Sequence, residues 1–207
     1  MIATGAALLG YVGWQFWGTN WVAEREQAEV TRTLQTQWEK PGARLVQKQV
    51  PKGDASALLR IPRFGRSYVV PVIEGVTTKD LSRGIGHFVD SADPGRVGNY
   101  ALAGHRVTHG EPLRRMPDLR PGDKVIVETL AARYVYRIDT DPEDLIVPFT
   151  GTWVLDPVPR NPQPGGPQPA QKQGQRLITL TTCSEIFHTD DRMIAFGHLV
   201  STTAKGR

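Results

Sequence analysis

The only cysteine of this 207-residue chain, Cys183, comes at the end of a strand-like run. Residues 176–183 read Arg-Leu-Ile-Thr-Leu-Thr-Thr-Cys, and such aliphatic and β-branched side chains are typical of a buried strand. A thiolate is a strong nucleophile, so a thiol placed where a strand gives way to polar residues is a candidate for covalent catalysis. A lone free cysteine is also often a small buried core residue, and that alternative stays open.

Two other side chains suit acyl transfer by a thiol. A second strand-like run, residues 99–105, ends in His105, and a cysteine with a distant histidine is typical of a nucleophile and its base. Arg192 begins a third such run nine residues after Cys183, and an arginine offers planar donors that never deprotonate. We therefore expect Cys183 to be the nucleophile, His105 the base and later the acid, and Arg192 the group that stabilises the oxyanion.

These motifs together resemble the sortase family of cell-wall transpeptidases. The resemblance rests on Ala-Gly-His-Arg at 103–106, on Thr-Leu-Thr-Thr-Cys at 179–183 and on Arg192, and it covers residues 58–200 in order and spacing. It implies an all-β fold with short helices, closed as an eight-stranded barrel, with the thiol, imidazole and guanidinium in one active site. The succession of short strands and turns would by itself leave a barrel or a sandwich open.

Within that family, residues 99–113 are similar to class E, the housekeeping group of Gram-positive actinobacteria. The resemblance implies cleavage of a C-terminal sorting signal between Thr and Gly through a thioacyl intermediate on Cys183. The acyl group would pass to a cell-wall amine, either of the peptidoglycan precursor lipid II or of a pilin lysine. The implied partners are surface proteins that carry such a signal.

Three further side chains are candidates for binding the sorting signal. Tyr100 matches a family tyrosine associated with preference for Leu-Ala-x-Thr-Gly over Leu-Pro-x-Thr-Gly, although strand tyrosines are often simply half-buried. Thr182 precedes the cysteine, and His109 is interpreted as a wall of the active-site groove. We expect all three to contribute to substrate binding.

The first 23 residues contain no charged side chain and no histidine. Residues 2–22 form a mostly apolar run of 21, close to the roughly 20 needed to cross a bilayer, with three tryptophans toward one end. We expect residues 1–23 to be a single-pass anchor in the cell membrane and the sequence to begin inside a longer cytoplasmic tail. A cleaved signal peptide is the alternative. The extracellular placement of the rest is implied by the family.

Residues 24–56 are predicted to be a helical stalk and linker. Three apolar side chains recur every four residues, as on one face of a helix: Val30, Leu34 and Trp38. Pro41-Gly42 should end the helix and uncouple the stalk from the rest of the chain. We therefore expect a chain that begins near Ala43 to stay folded and to act on short peptides.

The catalytic barrel domain is assigned to residues 57–203. Within it, residues 156–174 form a Pro-rich insert that is either a tolerated surface loop or a substrate lid. The predicted elements are strands over 57–61, 67–74, 99–105, 123–130, 133–140, 176–183 and 193–200, short helices after Thr77 and over 111–119, and a loop over 84–94.

Composition and histidine spacing limit the other partners. The formal net charge of +4 comes from scattered basic residues, so we expect no nucleic-acid partner. His105 and His109 share the four-residue spacing of zinc helices but have no evident third ligand, so we expect no metal and no cofactor. The remaining histidines are interpreted as surface or satisfied structural residues: His87, His188 and His198.

Two rival classes remain. An L,D-transpeptidase or another cysteine peptidase would use a different fold and a different order of histidine and cysteine. A non-catalytic, membrane-tethered cell-surface β-domain would keep Cys183 as a buried structural thiol. Reactivity of the thiol in the folded protein separates that second rival from an enzyme.

Overall fold

The structure, a computed structural model, describes residues 18–40, 50–183 and 190–205. These residues form two α-helices, α1 (Thr19–Glu39) and α2 (Thr78–Ser82), four short 3-10 helices (Pro62–Phe64, Met116–Asp118, Pro142–Asp144 and Thr152–Leu155) and nine strands. The strands are β1 (Ala55–Arg60), β2 (Val70–Glu74), β3 (Ile85–His87), β4 (Gly98–Ala103), β5 (Lys124–Glu128), β6 (Ala132–Ile138), β7 (Ile146–Pro148), β8 (Arg176–Cys183) and β9 (Asp191–Ala204).

Eight of the strands close into a barrel. Their order is β6-β5-β1-β2-β3-β4-β8-β9, and β9 pairs back to β6. The 14-residue β9 makes this closure possible, because its first half pairs with β8 and its second half with β6. The predicted closed eight-stranded barrel is therefore confirmed, and β7 adds a ninth strand beside the start of β9.

Alternation along the strands separates an interior face from an outer face. In β8, Ile178 and Leu180 belong to the main buried cluster inside the barrel, together with Tyr100 of β4. On β9, Ile194 and Phe196 face the other way and pack under the segment that carries β7 and Trp153. Both faces of β8 are therefore covered along most of its length, which explains its unbroken run of apolar and β-branched residues.

Two predictions from local sequence are wrong. The expected loop over 84–94 begins with β3, where Gly86 approaches the end of β2 so closely that an added Cβ would clash with the carbonyl oxygen of Gly75. The expected helix over 111–119 is reduced to one 3-10 turn, Met116–Asp118. Glu111 there has a φ of 47°, outside the helical region.

The short helix after Thr77 forms as predicted. The Thr77 hydroxyl accepts a hydrogen bond from the Asp80 N–H, and the Asp80 carboxylate accepts one from the Thr77 N–H. This reciprocal pair satisfies two of the N–H groups that a helix start leaves without partners.

Helix α1 packs on the barrel through the predicted face, on which polar side chains also lie. Its buried side chains are Ala23, Gln27, Thr31 and Leu34, whereas Val30 and Trp38 are half-buried. Gln27 donates a hydrogen bond to the backbone oxygen of His109, 3.0 Å away, so the helix contacts the barrel directly. The expectation that the stalk is uncoupled is therefore wrong for the helix itself.

The predicted membrane anchor falls mostly outside the described part of the chain, which begins at residue 18. Within the described residues, no helix is both long enough and apolar enough to span a bilayer.

The Pro-rich insert, 156–174, lies between the 3-10 helix Thr152–Leu155 and the start of β8. Gln171 ties it together by donating to the backbone oxygens of Pro159 and Pro169, both of which are buried. It enters β8 at Arg176, the end opposite Cys183, roughly 23 Å away at about 3.3 Å per residue. This placement favours a surface loop over a substrate lid.

Candidate active site

The residues that follow β4 lie beside Cys183 at the end of β8. β4 and β8 are parallel, and their six paired positions, from Gly98↔Arg176 to Ala103↔Thr181, all differ by 78 residues. The Gly104 N–H continues this ladder by donating to the backbone oxygen of Thr181 at 3.1 Å. The same offset of 78 relates His105 to Cys183, so the register carries the imidazole to the thiol's end of the sheet.

Arg192 is the direct cross-strand partner of Cys183. The antiparallel β8–β9 register pairs these two residues, and paired residues place their side chains on the same face of a sheet. The structure therefore brings together the three predicted catalytic residues from three adjacent strands, in the order β4, β8 and β9.

Cys183 lies on the outer face of the barrel. It follows Thr179 and Thr181 in the alternation of β8, opposite to the core residues Ile178 and Leu180. The six residues before it are buried, but Cys183 itself is half-buried. The thiol therefore lies where the covering of the outer face ends, which leaves it open to a reactant.

Side-chain hydrogen bonds hold the ends of β4 and β8 together. The Thr182 hydroxyl donates to the backbone oxygen of Gly104 at 2.8 Å, and Arg106 Nη1 lies 3.4 Å from the backbone oxygen of Cys183. Deeper in the same sheet, the Thr179 hydroxyl donates to the Asn99 side-chain oxygen at 2.8 Å. Because the threonine and asparagine groups are buried and paired, they fix the register that aligns the site.

The imidazole of His105 has an unused nitrogen. Its Nε2 is buried and has no hydrogen-bond partner within the described part of the chain. The pKa of His105 is lowered to about 4, chiefly by burial and also by the nearby charges of His109 and Arg192. At neutral pH this imidazole is uncharged and able to accept a proton.

The guanidinium of Arg192 lies between a carbonyl and an aromatic ring. Its Nη1 donates to the backbone oxygen of Asp191 at 3.0 Å, and its Cζ lies 4.8 Å from the ring centre of Phe149. Phe149 follows β7 and is 69% exposed. The pair forms an outer wall next to Cys183 that combines a cation with an apolar surface.

The predicted substrate-binding residues fall in three different environments. Tyr100 is 1% exposed and points into the barrel, on the face opposite Cys183, so it could influence a bound peptide only through the packing of β4. Thr182 is buried and serves the β4–β8 contact described above. His109 stacks on His105, with ring centroids 4.8 Å apart. A role in substrate binding stays a prediction for all three.

The other histidines divide as expected where they are described. His87 is buried with hydrogen bonds on both ring nitrogens, and His198 lies at the surface with Nδ1 2.8 Å from the Asp139 carboxylate. His188 lies outside the described residues. Among residues 18–40, 50–183 and 190–205, no three His, Cys, Asp or Glu side chains are grouped as metal ligands.

Sequence reasoning missed two residues that adjoin the site. Arg106 is part of the quoted motif but was given no role, although its guanidinium reaches the Cys183 backbone. Phe149 sits in a segment whose short strand β7 has no clear pattern, so only the β7–β9 pairing places it beside Arg192.

The sequence and fold were compared with known proteins. The family model described as "Sortase domain" matches residues 59–200. The sortase SrtE1 of Streptomyces coelicolor is 38% identical over 216 residues, covering 100% of this chain and 57% of SrtE1. The chain thus spans little more than half the length of that relative.

Solved structures give the same result. The structure of sortase E from Streptomyces avermitilis aligns with a TM-score of 0.66 and 37% identity, over 75% of this chain and 93% of that one. Sortase E1 from Streptomyces coelicolor, solved with a tripeptide in its active site, aligns with a TM-score of 0.63 and 38% identity, over 73% and 91%. The domain match, the class E relatives and the shared barrel establish that this chain belongs to the sortase family.

Proposed function

We propose that this protein is a membrane-anchored cysteine transpeptidase that cleaves a sorting signal between Thr and Gly and transfers the upstream protein to a cell-wall amine. The observation that carries this proposal is that the strand register places His105, Cys183 and Arg192 side by side at the ends of three adjacent strands. Membership of a family of cysteine transpeptidases supports the reaction class.

The first half-reaction forms a thioester. The Cys183 sulfur attacks the carbonyl carbon of the signal's threonine, and His105 accepts the thiol proton on an imidazole nitrogen. The carbonyl oxygen becomes an oxyanion, which the Arg192 guanidinium stabilises by donating hydrogen bonds. His105 then returns the proton to the glycine nitrogen as the Thr–Gly bond breaks, so a neutral amine leaves.

The second half-reaction reverses these roles. An incoming amine attacks the thioester carbon, His105 takes the proton that the amine loses, and the thiol leaves with that proton. The new amide joins the threonine to the acceptor. With a pKa of about 4, His105 is neutral at pH 7, so it begins each half-reaction in the form that accepts a proton.

The geometry weighs against the non-catalytic rival. A structural thiol should be enclosed, whereas Cys183 is half-buried at the end of β8, after six buried residues. A satisfied structural histidine should have partners on both nitrogens, whereas His105 Nε2 has none among the described residues. The family assignment weighs against an L,D-transpeptidase or a cysteine peptidase of another fold.

The proposal assigns residues 1–23 to the anchor, 24–56 to the stalk and linker, and 57–203 to the catalytic domain. The uncharged composition of residues 1–23 supports a single-pass anchor in the cell membrane, and similarity to sortases supports a barrel outside the cell. Similarity to class E sortases supports a Leu-Ala-x-Thr-Gly signal, and lipid II is the proposed source of the acceptor amine.

Peptide cleavage tests this function. The protein is incubated with Leu-Ala-x-Thr-Gly and Leu-Pro-x-Thr-Gly peptides, with and without an oligoglycine amine, and the products are identified by mass. We expect cleavage after Thr, faster for the alanine-containing peptide, and a transfer product only when the amine is present. Cleavage elsewhere, or none with either peptide, would refute the proposed function; equal rates would refute only the signal preference.

A further inference from the structure

The loop that follows His105 has an unusual backbone. His109, Gly110 and Glu111 have φ angles of 54°, 77° and 47°, so three consecutive residues occupy the left-handed region. Glycine adopts this region freely, but His and Glu are disfavoured there because Cβ crowds the backbone. Contacts from elsewhere in the fold are needed to hold such a run in place.

Helix α1 supplies those contacts. The Asn20 side chain donates to the Glu111 carboxylate at 2.6 Å and accepts from the Gly110 N–H at 3.0 Å. The Gln27 side chain donates to the His109 backbone oxygen at 3.0 Å. Two side chains, two helical turns apart on one face of α1, therefore contact all three left-handed residues.

Helix α1 is in close contact with the loop at Gly110 and with the barrel beside it. A Cβ added to Gly110 would lie 2.8 Å from Gln27 Nε2, so a side chain at this position would displace the Gln27 amide. Gln27 Nε2 also lies 3.4 Å from the Ser82 backbone oxygen, and Glu26 forms an ion pair with Arg83 at 3.2 Å. These additional contacts fix α1 against the barrel beside the end of α2.

The loop in turn adjoins the candidate base. The His109 ring stacks on the His105 ring with an angle of 26° between their planes. Charged and titratable groups approach His105 from three elements: His109 and Arg106 from its own loop, Cys183 from β8 and Arg192 from β9. Of these, His109 is the one whose position depends on the left-handed run.

We infer that α1 is a positioning element for catalysis: Asn20 and Gln27 hold the His109–Glu111 loop so that the His109 ring fixes the imidazole of His105. This inference rests on the proposed function, because it assumes that His105 is the base. It assigns a role in the active site to the segment that sequence reasoning had treated as a stalk. Neither side chain contacts the reacting atoms, so both are positioning residues.

The test uses the full chain with Gln27→Ala and Asn20→Ala as separate variants. Gln37→Ala is the matched control, because it makes the same chemical change at an exposed position of the same helix. The measurements are kcat and KM for the sorting-signal peptide and the pH profile of kcat/KM. The pH dependence of Cys183 alkylation by iodoacetamide is measured alongside, and thermal unfolding reports stability.

Releasing the loop should withdraw His109 and expose His105, so the pKa of His105 should rise from about 4 toward its usual range. We expect Gln27→Ala to lower kcat roughly tenfold with KM changed less than about threefold, as for a misplaced catalytic group. The acidic limbs of the kcat/KM and alkylation profiles should both move to higher pH. Asn20→Ala should act in the same direction, and the control should match the wild type.

A purely structural helix would give a different pattern. If Gln27→Ala and Asn20→Ala lower the melting temperature but leave both pH profiles where they are in the wild type, the inference is overturned. The proposed function fails separately, when the wild type cleaves no peptide. The alkylation profile would still report whether α1 controls the surroundings of His105 and Cys183.

Discussion

His87, inside the barrel, and His105, after the end of β4, differ in how their imidazole nitrogens are hydrogen-bonded. His87 is 1% exposed, with Nδ1 2.8 Å from the Glu74 carboxylate and Nε2 3.1 Å from the Ser91 hydroxyl. The half-buried His105 has a buried Nε2 with no partner in the described structure. Both ring nitrogens of His87 are hydrogen-bonded, whereas His105 has one that is available for proton transfer.

The environments of the two rings follow from their partners. Burial acts to raise the pKa of Glu74, but hydrogen bonds from His87 and Ser56 more than offset this and lower it. Glu74 is therefore ionised, so it can only accept, and Nδ1 of His87 carries the proton. His105 instead has cationic neighbours and no carboxylate among the groups that shift its pKa. The contrast shows how a structural histidine differs from one available for proton transfer.

Cys183→Ala should have the largest effect of any single change. Alanine fits at a half-buried strand end, so the fold should survive, while loss of the sulfur removes the nucleophile. We expect the cleavage rate to fall at least about 10³-fold, with little change in melting temperature. Turnover near the wild-type rate would remove Cys183 from the chemistry.

His105→Ala and Arg192→Ala should each lower kcat/KM by about 10²-fold or more, since one removes the base and the other an oxyanion donor. Because both act on one step, the double variant should lose far less than the product of the two factors. Strict multiplicativity would mean that the two residues do not share a site. Arg192→Lys should restore only part of the activity, because an ammonium lacks the planar donor pair.

His87→Ala should reverse the pattern seen for His105→Ala. Removing the buried His87 leaves a cavity and unpairs Glu74 and Ser91, which should cost about 2–4 kcal/mol of unfolding free energy. His105→Ala loses no bond at Nε2 and should change that free energy by less than about 1 kcal/mol. Chemical denaturation measures both, and activity per folded molecule should survive only in the His87 variant. An equal loss of unfolding free energy in the two variants would contradict the distinction between a structural His87 and an available His105.

His109→Gln sharpens the same comparison through pH. The His109 charge lowers the pKa of His105, so its removal should raise that pKa above about 4, toward the usual value. The acidic limb of kcat/KM should move to higher pH, and NMR titration of the His105 ring should show the same displacement. A limb that stays in place would mean that burial and Arg192 set the pKa without His109.

Acid stability has a definite sign. The pKa of His105 is lower in the folded protein than in the unfolded chain, so folding favours the neutral ring. The stability that this difference contributes is fully present above the unfolded pKa of about 6.5. It should be lost as the pH falls from 6.5 through 4. His105→Ala should remove that part of the pH dependence, which melting curves at several pH values would measure. A wild type and variant that lose stability in parallel would contradict this account.

The positions of the candidate catalytic residues were predictable because they are local properties of strands. Cys183 and His105 each end a run whose side chains predict a strand, and the constant offset between β4 and β8 then brings the ends together. The closed barrel came from the family resemblance, because the strand pattern does not distinguish a barrel from a sandwich.

The features that could not be predicted depend on contacts between distant segments. β3 has three residues and exists because Gly86 lets it approach β2. The left-handed residues 109–111 prevent the predicted helix over 111–119 from starting. They are contacted by α1, a segment distant in sequence. Gln27 is a polar residue on the buried face of α1, so an apolar stripe could not reveal it.

The most direct test of the central claim is the mass of the intact protein, quenched in acid during the first turnover with a sorting-signal peptide. The account predicts a species heavier by the peptide fragment that ends in threonine. The added mass should map to Cys183, should disappear on treatment with hydroxylamine, and should be absent in Cys183→Ala. Cleavage that proceeds with no such species, or with the fragment attached elsewhere, would contradict the account.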